Sequence, residues 1–502
     1  MEPQALVPRV HETHVSTVVL IGDRALKFPK PLRTEFLDQS TPDKRRHACE
    51  EELRLNRRLS PDVYLGIGEV HEGNRVADWF LVMRRMPEQT RLSALVGTPG
   101  FEDAVRDVVR TVAAFHTAQP PSAYAASLAT QEAVRALWTT KNIGQMQRFA
   151  GSMLDAAVLA EIEQLSCDYI DGRGPLFAER IAQGWARDGH GDLLADDIFV
   201  LPDGPRVLDC LAFDASLRCG DVLLDVAFLA MDLERLAGPA IVDVVLDRYT
   251  ELTGEHHPRS LGHLFVAYRA LVRAKVSCLQ AEQGLDGAAE RAVAFAAQCL
   301  RHLRRAQPLL VLVGGAPGTG KTTVAHALAE AASAASAGDV RDLTVISSDE
   351  VRKELAGVAA GTPLSATGEL HAGAYTPEAR ARVYDEVLRR ARLLLAHGES
   401  VVLDATWGSA AARTTAGELA AATHSRLVAV QCVLDPTVAA ARVAARREAS
   451  TQAPDASDAT PEVALGLAAS FEPWPEATVL DTGREATLVD GDVRSLVATW
   501  NG

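Results

Sequence analysis

The stretch "GAPGTGKT", Gly315 to Thr322, constrains this 502-residue chain more than any other. It matches G-x-x-x-x-G-K-[ST] and lies between an apolar run, "LLVLVG", and a helix-forming run that begins at Thr322. Glycines in such a loop let backbone N–H groups curl around a β-phosphate, a lysine reaches the β and γ oxygens, and the next hydroxyl sits on Mg2+. Gly315, Ala316, Pro317, Gly318, Thr319, Gly320, Lys321, Thr322 and Thr323 are therefore candidate nucleotide-binding residues. Lys321 is in addition a catalytic candidate and Thr322 a metal ligand. From "LLVLVG" onward, "LTVISSD", "SVVLDAT", "RLVAVQCVL" and "ATVLDTG" alternate with helical runs, which predicts a parallel α/β sheet domain over 305–502.

Two carboxylates end predicted strands of that sheet. Asp404 closes "SVVLDAT" and is a candidate magnesium ligand; Asp349 closes "LTVISSD" and is a catalytic candidate, because the C-terminal strand ends of an open α/β sheet line its ligand crevice. The competing expectation is that each merely caps a helix. Arg442 and Arg446 are four apart, share a helix face beside Arg447, and are catalytic candidates in a lid over about 440–465 that would neutralise a transferring phosphate. A solvated basic face is the alternative. The order "ISSDEVRK", "VVLDATW", Arg-bearing lid resembles small P-loop kinases of the adenylate and gluconate kinase type, and the related polynucleotide kinases and zeta-type toxins, over about 309–485.

Composition narrows the remainder. With 47% hydrophobic and 23% charged residues the chain reads as globular, and its net charge of -15 without a basic block argues against nucleic acid or an anionic membrane as partner. Seven scattered cysteines form no CxxC pair, and no apolar run approaches the ~18 residues of a membrane span. The N-terminus has no apolar h-region, so a cytoplasmic location is expected. "AASAASAGD" (331–339) and "EASTQAPDASDATPE" (448–462) are the expected mobile stretches.

Ahead of residue 305 the pattern differs. "HVSTVVLIGDRALKF" reads as two strands joined at Gly22-Asp23, "DKRRHACEEELRLNRRL" as a helix and "DWFLVMRRM" as a further strand; most of 101–186 and of 258–305 is helical by period. This is a small β-rich lobe, about 1–90, feeding a helical lobe, about 91–304. Strand period sets Ala25 and Lys27 opposite Leu26 and Phe28, so that Lys27 points into a cleft while those neighbours pack. Glu52 shares the apolar face of the following helix and is its expected partner, with Glu51 a close competitor.

Asp192, Asp196 and Asp197 crowd one short loop, "RDGHGDLLADDIFV", with Asp209 close behind. Like charges at that spacing repel unless a cation sits among them, most simply a divalent metal carrying phosphates. "HGDLLADDI" resembles the catalytic loop H-G-D-L-H-x-x-N-I of aminoglycoside phosphotransferases and of choline and homoserine kinases, relatives of protein kinases. "GDVLLDVA", with Gly220, Asp221, Asp225 and Ala227, resembles that family's G-D-x-x-x-D-[LV]-A helix. The resemblance implies a bilobal kinase-like α+β fold over 1–304. It makes Asp192 the acceptor of the substrate hydroxyl proton, Asp197 and Asp209 metal ligands, and Asp225 the brace of the catalytic loop. It makes Lys27 and Glu52 the phosphate-anchoring pair and puts Met83, in the expected interlobe hinge "FLVMRRM", beside adenine. Four positions depart from the family pattern: Asp197 stands for its asparagine, Asp196 for the small turn residue before it, Leu194 for its second histidine and Ala212 for an acidic residue.

The whole chain resembles bacterial two-domain proteins with an aminoglycoside phosphotransferase-like half and an ATP-binding P-loop half. The expectation is a bifunctional kinase using ATP and Mg2+ on hydroxyls of small molecules. One alternative is a noncatalytic nucleotide-sensing front half that regulates an active P-loop kinase. A nucleic-acid end kinase is another.

Overall fold

The computed structural model describes residues 8–13, 15–33, 37–335, 340–358, 376–449 and 459–500. Residues 336–339 and 450–458 of the two polar stretches lie outside these, and with 450–458 goes the middle of the expected lid. Two compact units form, Met1–Val134 with Glu179–His257, and Arg135–Ala178 with Pro258–Gly502. They cut across the helical lobe read over 91–304, for its stretches 135–178 and 258–304 belong with the P-loop fold.

In the first unit, β1 (Arg9–Glu12), β2 (Ser16–Ile21), β3 (Arg24–Pro29), β4 (Tyr64–Glu72) and β5 (Arg75–Arg84) make an antiparallel sheet in the order β1-β2-β3-β5-β4. Ile21 faces Arg24 across Gly22-Asp23, the two-residue hairpin that the sequence predicts. β4 carries little strand signal because Gly66 and Gly68 interrupt it. A Cβ at Gly68 would lie 2.3 Å from the Phe80 ring, so glycine there is what admits that ring. The helix Pro42–Asn56 starts on Thr41, whose hydroxyl accepts the Lys44 N–H, and it buries Cys49 in a cluster with Ala25, Tyr64, Leu81 and Met83. Two short antiparallel pairs, β6 (Ala186–Asp188) with β9 (Cys219–Asp221) and the hairpin β7 (Ile198–Leu201) with β8 (Gly204–Val207), frame the acidic loop.

In the second unit, β10 (Leu309–Gly314), β11 (Leu343–Ser347), β12 (Ser400–Asp404), β13 (Arg426–Val433) and β14 (Thr478–Asp481) form a parallel sheet in the order β11-β12-β10-β13-β14. β10 is buried along its length, and its period of two feeds both faces. Leu309, Val311 and Val313 pack with Val324, Leu328, Val493 and Val497, whereas Leu310 and Leu312 pack with Val383, Val387, Ala416 and Leu419. At about 1.5–3 kcal/mol for each fully buried aliphatic side chain, this strand is the anchor of the sheet.

Polar contacts bind the helices of 135–178 and 258–306 to that sheet. Arg173, with no exposed surface, donates to the carbonyls of Thr423 and His424 at the C-terminal end of the helix Ala410–Ala422. Ser260 Oγ donates to the Gly398 carbonyl at 2.7 Å, and Arg341 donates to the carbonyls of Arg304 and Gln307 at 2.9 Å each. Among the described residues no helix is long and apolar enough to cross a membrane.

Candidate functional site

Each unit gathers its own set of predicted site residues. In the first, Lys27 Nζ lies 2.8 Å from Glu52 Oε1 and 2.5 Å from Asp209 Oδ1. Glu51 instead pairs with Arg54 at 2.7 Å. Ala25 and Lys27 share the face that packs toward the Pro42–Asn56 helix, so it is the lysine's own face that is buried; Phe28, on the other face, stacks on Phe80 at 4.7 Å. Burial works against the lysine's charge, but Asp209 and Glu52 outweigh it and hold the pKa well above the usual value. The Lys27 charge lowers the pKa of Asp209, whose side chain keeps half its surface exposed, whereas burial raises that of Glu52.

Asp209 does not sit on a strand: β8 ends at Val207, and Asp209 adopts the left-handed conformation, φ 64, rare for a residue with a Cβ. Its N–H donates to Tyr64 Oη at 3.1 Å and the next N–H, of Cys210, donates to Asn56 Oδ1 at 2.9 Å. Two elements of the small lobe thus hold a conformation that costs about 1 kcal/mol or more.

The acidic loop is held by buried carboxylates behind it. Asp225 accepts the N–H of Gly191 at 2.8 Å and that of His190, and its Oδ2 lies 3.2 Å from His116 Nε2. Asp232 accepts the Ala195 N–H at 3.0 Å. His190 Nε2 donates to the Leu208 carbonyl at 3.1 Å, which leaves Nδ1 to accept the Asp192 N–H at 3.3 Å; burial keeps this imidazole neutral, with its pKa lowered to about 4. Asp192 is half-buried beside it. Asp197 is pushed up to about 8, first by burial and then by the charges of Asp209 and Asp192. The three carboxylates therefore feel one another, and a divalent cation among them relieves that repulsion. Met83 lies inside β5, opposite Ala25 and Tyr64, and is buried.

In the second unit the phosphate loop joins β10 to the helix Lys321–Ser333. Gly318 is at φ 87, and a Cβ there would lie 2.3 Å from the Ala439 carbonyl oxygen. Thr319 Oγ1 donates to the Ala316 carbonyl at 2.8 Å, while Thr482 Oγ1 donates to the Thr319 carbonyl at 2.7 Å. Ala316 and Pro317 are buried, Gly320 and Lys321 half-buried, Thr322 and Thr323 exposed. Thr322 Oγ1 donates to Asp404 Oδ2 at 2.6 Å. Asp404 ends β12 as predicted and is 2% exposed; burial raises its pKa against the pull of Lys321 and Thr322. Its Oδ1 is buried without a hydrogen-bond partner. A hard oxygen left over beside a threonine hydroxyl and a phosphate loop fits Mg2+, which takes one or two carboxylates and fills its shell with water and phosphate oxygens. Among the described residues no three His, Cys, Asp or Glu side chains cluster tightly enough to hold a metal by themselves.

Asp349 lies in the first turn of the helix Ser348–Leu355 rather than at the end of β11, because Ser347 caps that helix at once; Arg352 Nη1 pairs with its Oδ1. Arg442 donates to the Thr482 carbonyl at 3.2 Å, and Arg446 is half-buried one turn further along the same helix, Pro436–Ala449. Sequence reasoning does not single out Tyr64, Asn56, His116, Asp232 or Thr482. Only Asn56 leaves a trace there, four residues after Glu52 and so on the same helix face.

Residues 310–474 match the AAA domain family, AAA_33. The chain is 40% identical over 478 residues to the uncharacterized protein Rv2004c of Mycobacterium tuberculosis, a match covering 94% of this chain and 92% of that one. Among solved structures it is similar to a choline/ethanolamine kinase family protein from Mesorhizobium loti, 14% identical with a TM-score of 0.37 over 60% of this chain and 90% of that one. It is also similar to the Mycobacterium tuberculosis APS kinase CysC, 17% identical with a TM-score of 0.28 over 39% of this chain and 99% of that one. With an antiparallel sheet carrying the Lys27–Glu52 pair in one unit and a P-loop parallel sheet in the other, the chain belongs to the same family as Rv2004c.

Proposed function

We propose that the chain is a Mg2+- and ATP-dependent phosphotransferase with two sites, each passing the γ-phosphate to a hydroxyl of a small molecule. The two ancestral folds divide near residue 304. The observation that carries this reading is Asp404 Oδ1, buried and unpartnered next to the Thr322 hydroxyl and the phosphate loop. Mg2+, when bound, neutralises charge on the β- and γ-phosphates. Lys321 stabilises the same oxygens, Asp349 takes the acceptor proton, and Arg442 and Arg446 approach from the lid. In the first unit Lys27 anchors the phosphates, Asp197 and Asp209 hold the metal, Asp192 receives the hydroxyl proton, and Met83 borders the adenine. The net charge of -15 disfavours a nucleic-acid end as acceptor, and a small cytoplasmic metabolite suits it better.

Leu194 and the half-buried Asp197, whose pKa is pushed up to about 8, favour a second reading for the first unit alone, a nucleotide sensor that sets the rate of the P-loop site. The test is incubation of the full-length chain with ATP and a metabolite pool, scored for mass gain of one phosphate. Products lost separately in Asp192→Asn and in Lys321→Ala establish two transferases. A product lost only in Lys321→Ala establishes the sensor. No product, together with no nucleotide binding, overturns both.

A further inference from the structure

Trp407 breaks the local rule for its residue type. It is fully buried yet sits at φ 51, in the left-handed region that a bulky side chain seldom adopts. Four contacts over-determine it. Its N–H donates to Tyr384 Oη at 3.1 Å, its indole Nε1–H donates to the Leu403 carbonyl at 3.1 Å, and its carbonyl accepts from Arg413 Nη1 at 2.9 Å. The Tyr384 ring meets the indole edge-on, with centroids 5.0 Å apart at 80°. Strain held this firmly points to a geometric task rather than to packing.

What Trp407 holds is the short segment Asp404–Thr406. That segment begins with the carboxylate beside Thr322 and ends at the Thr406 carbonyl, which accepts the N–H of Gly315 at 3.0 Å, the first residue of the phosphate loop. Between them the Ala405 N–H donates to the Val313 carbonyl of β10 at 3.3 Å. A Cβ at Gly314 would come 3.1 Å from Trp407 Cβ, so the backbone of β10 and Trp407 are in direct contact. Tyr384, on the helix Pro377–Ala396, spends a hydroxyl lone pair on the Trp407 N–H, and its oxygen feels the charges of Arg352, Arg380 and Asp349. The tyrosine therefore connects the Trp407 corner to the neighbourhood of the Asp349–Arg352 pair.

We infer that Tyr384 and Trp407 are positioning residues that fix the spacing between the Asp404 carboxylate and the phosphate loop, and so set how Mg2+ and the nucleotide phosphates are presented to each other. The inference rests on the P-loop reading above. Neither side chain needs to touch nucleotide for this; they act through Asp404 and through the Thr406–Gly315 hydrogen bond.

The test uses the full-length chain carrying Asp192→Asn and Asp209→Asn, which remove transfer and weaken nucleotide binding at the other site, with Tyr384→Phe and Trp407→Phe. Tyr384→Phe keeps the ring contact and removes only the acceptor of the Trp407 N–H; Trp407→Phe keeps an aromatic ring and removes the indole donor. Calorimetry gives the affinity for ADP without Mg2+, then the Mg2+ concentration that half-saturates its enhancement. The expected result for Tyr384→Phe is unchanged metal-free affinity, an apparent Mg2+ requirement raised about five- to ten-fold, and kcat lowered about ten-fold with KM for ATP nearly constant. Trp407→Phe moves the same way. Wild-type Mg2+ dependence and kcat in both variants would overturn the inference, as would an equal loss of metal-free and Mg2+-dependent affinity, which marks collapse of the loop as a whole. If the parent chain binds no ADP, it is the P-loop reading that fails, an outcome the same titration distinguishes.

Discussion

Asp225 accepts the backbone N–H of Gly191 at 2.8 Å through Oδ1, while its Oδ2 accepts that of His190. One buried carboxylate thereby fixes two successive peptides of the loop that carries Asp192. The loop's shape depends on a group that reaches neither substrate nor metal.

Replacing Asp225 by Asn turns one acceptor oxygen into a donor facing a backbone N–H. That leaves a buried donor unsatisfied, a loss of about 1–3 kcal/mol in stability. Turnover at the first site is expected to fall about ten- to hundred-fold with little change in nucleotide affinity, read by chemical denaturation and by product formation in the Lys321→Ala background.

Asp192→Asn and Asp209→Asn are expected to differ in kind. The first removes transfer and leaves Mg2+-ATP affinity nearly intact; the second, by freeing Lys27 from its 2.5 Å partner and deleting a proposed metal ligand, weakens Mg2+-ATP binding itself. Calorimetric titration of both variants in the full-length chain decides it, and equal loss of binding in both would defeat the division of roles.

Lys321→Ala should lower ATP consumption at the P-loop site about 100-fold or more, the size of effect expected when a charge that stabilises a transferring phosphoryl group is deleted. An unchanged rate in a folded variant removes the assignment.

His190 and Glu255 each give the first unit an acid-sensitive share of its stability, opposed between about pH 8 and 4 by Asp197, whose raised pKa favours the folded state as pH falls. His190 is neutral when folded, with a pKa of about 4 against an ordinary value of 6.5, so its contribution is complete above 6.5 and drains away as the pH falls toward 4, about 3 kcal/mol at most. Burial raises the pKa of Glu255, but His257 and Arg180 outweigh it and hold it at about 2, so its contribution persists to lower pH and fades as the pH drops from the ordinary 4.5 toward 2. His190→Gln, which can still donate to Leu208 and accept from Asp192, should remove its share of the dependence of unfolding free energy between pH 6.5 and 4. A slope unchanged from the parent's would place the acid sensitivity elsewhere.

Arg173→Met strips the buried Thr423 carbonyl and the half-buried His424 carbonyl of their donor at the end of the helix Ala410–Ala422 and is expected to cost about 2–4 kcal/mol. Hydrogen exchange should show the loss around residues 410–426, more than two hundred positions from the substitution.

The phosphate loop was legible because its chemistry is local: glycines, a lysine and a threonine within eight residues, flanked by a strand and a helix. The Lys27 partner was legible to within one position, since helix period alone does not separate Glu51 from Glu52 until Asn56 and Leu55 show which way the helix is turned. Trp407 and Arg173 left no signal. Their roles come from contacts with Tyr384 and Thr423, 23 and 250 residues away, and no composition or spacing carries a pairing of that kind. β4 was hidden for the opposite reason, as Gly68, which weakens the strand signal in sequence, is what leaves room for the Phe80 ring.

The cradle of helices around the P-loop sheet has a consequence for inheritance. A recombination that trades the kinase-like half of this chain for a relative's at residue 304/305 would carry away Arg173, Tyr169 and Ser260 while leaving Thr423 and Gly398 behind, and the hybrid sheet would meet a mismatched bed. The seams that preserve each unit fall at 134/135, 178/179 and 257/258. Three crossovers in register are far rarer than one, so the two halves are bound to descend together.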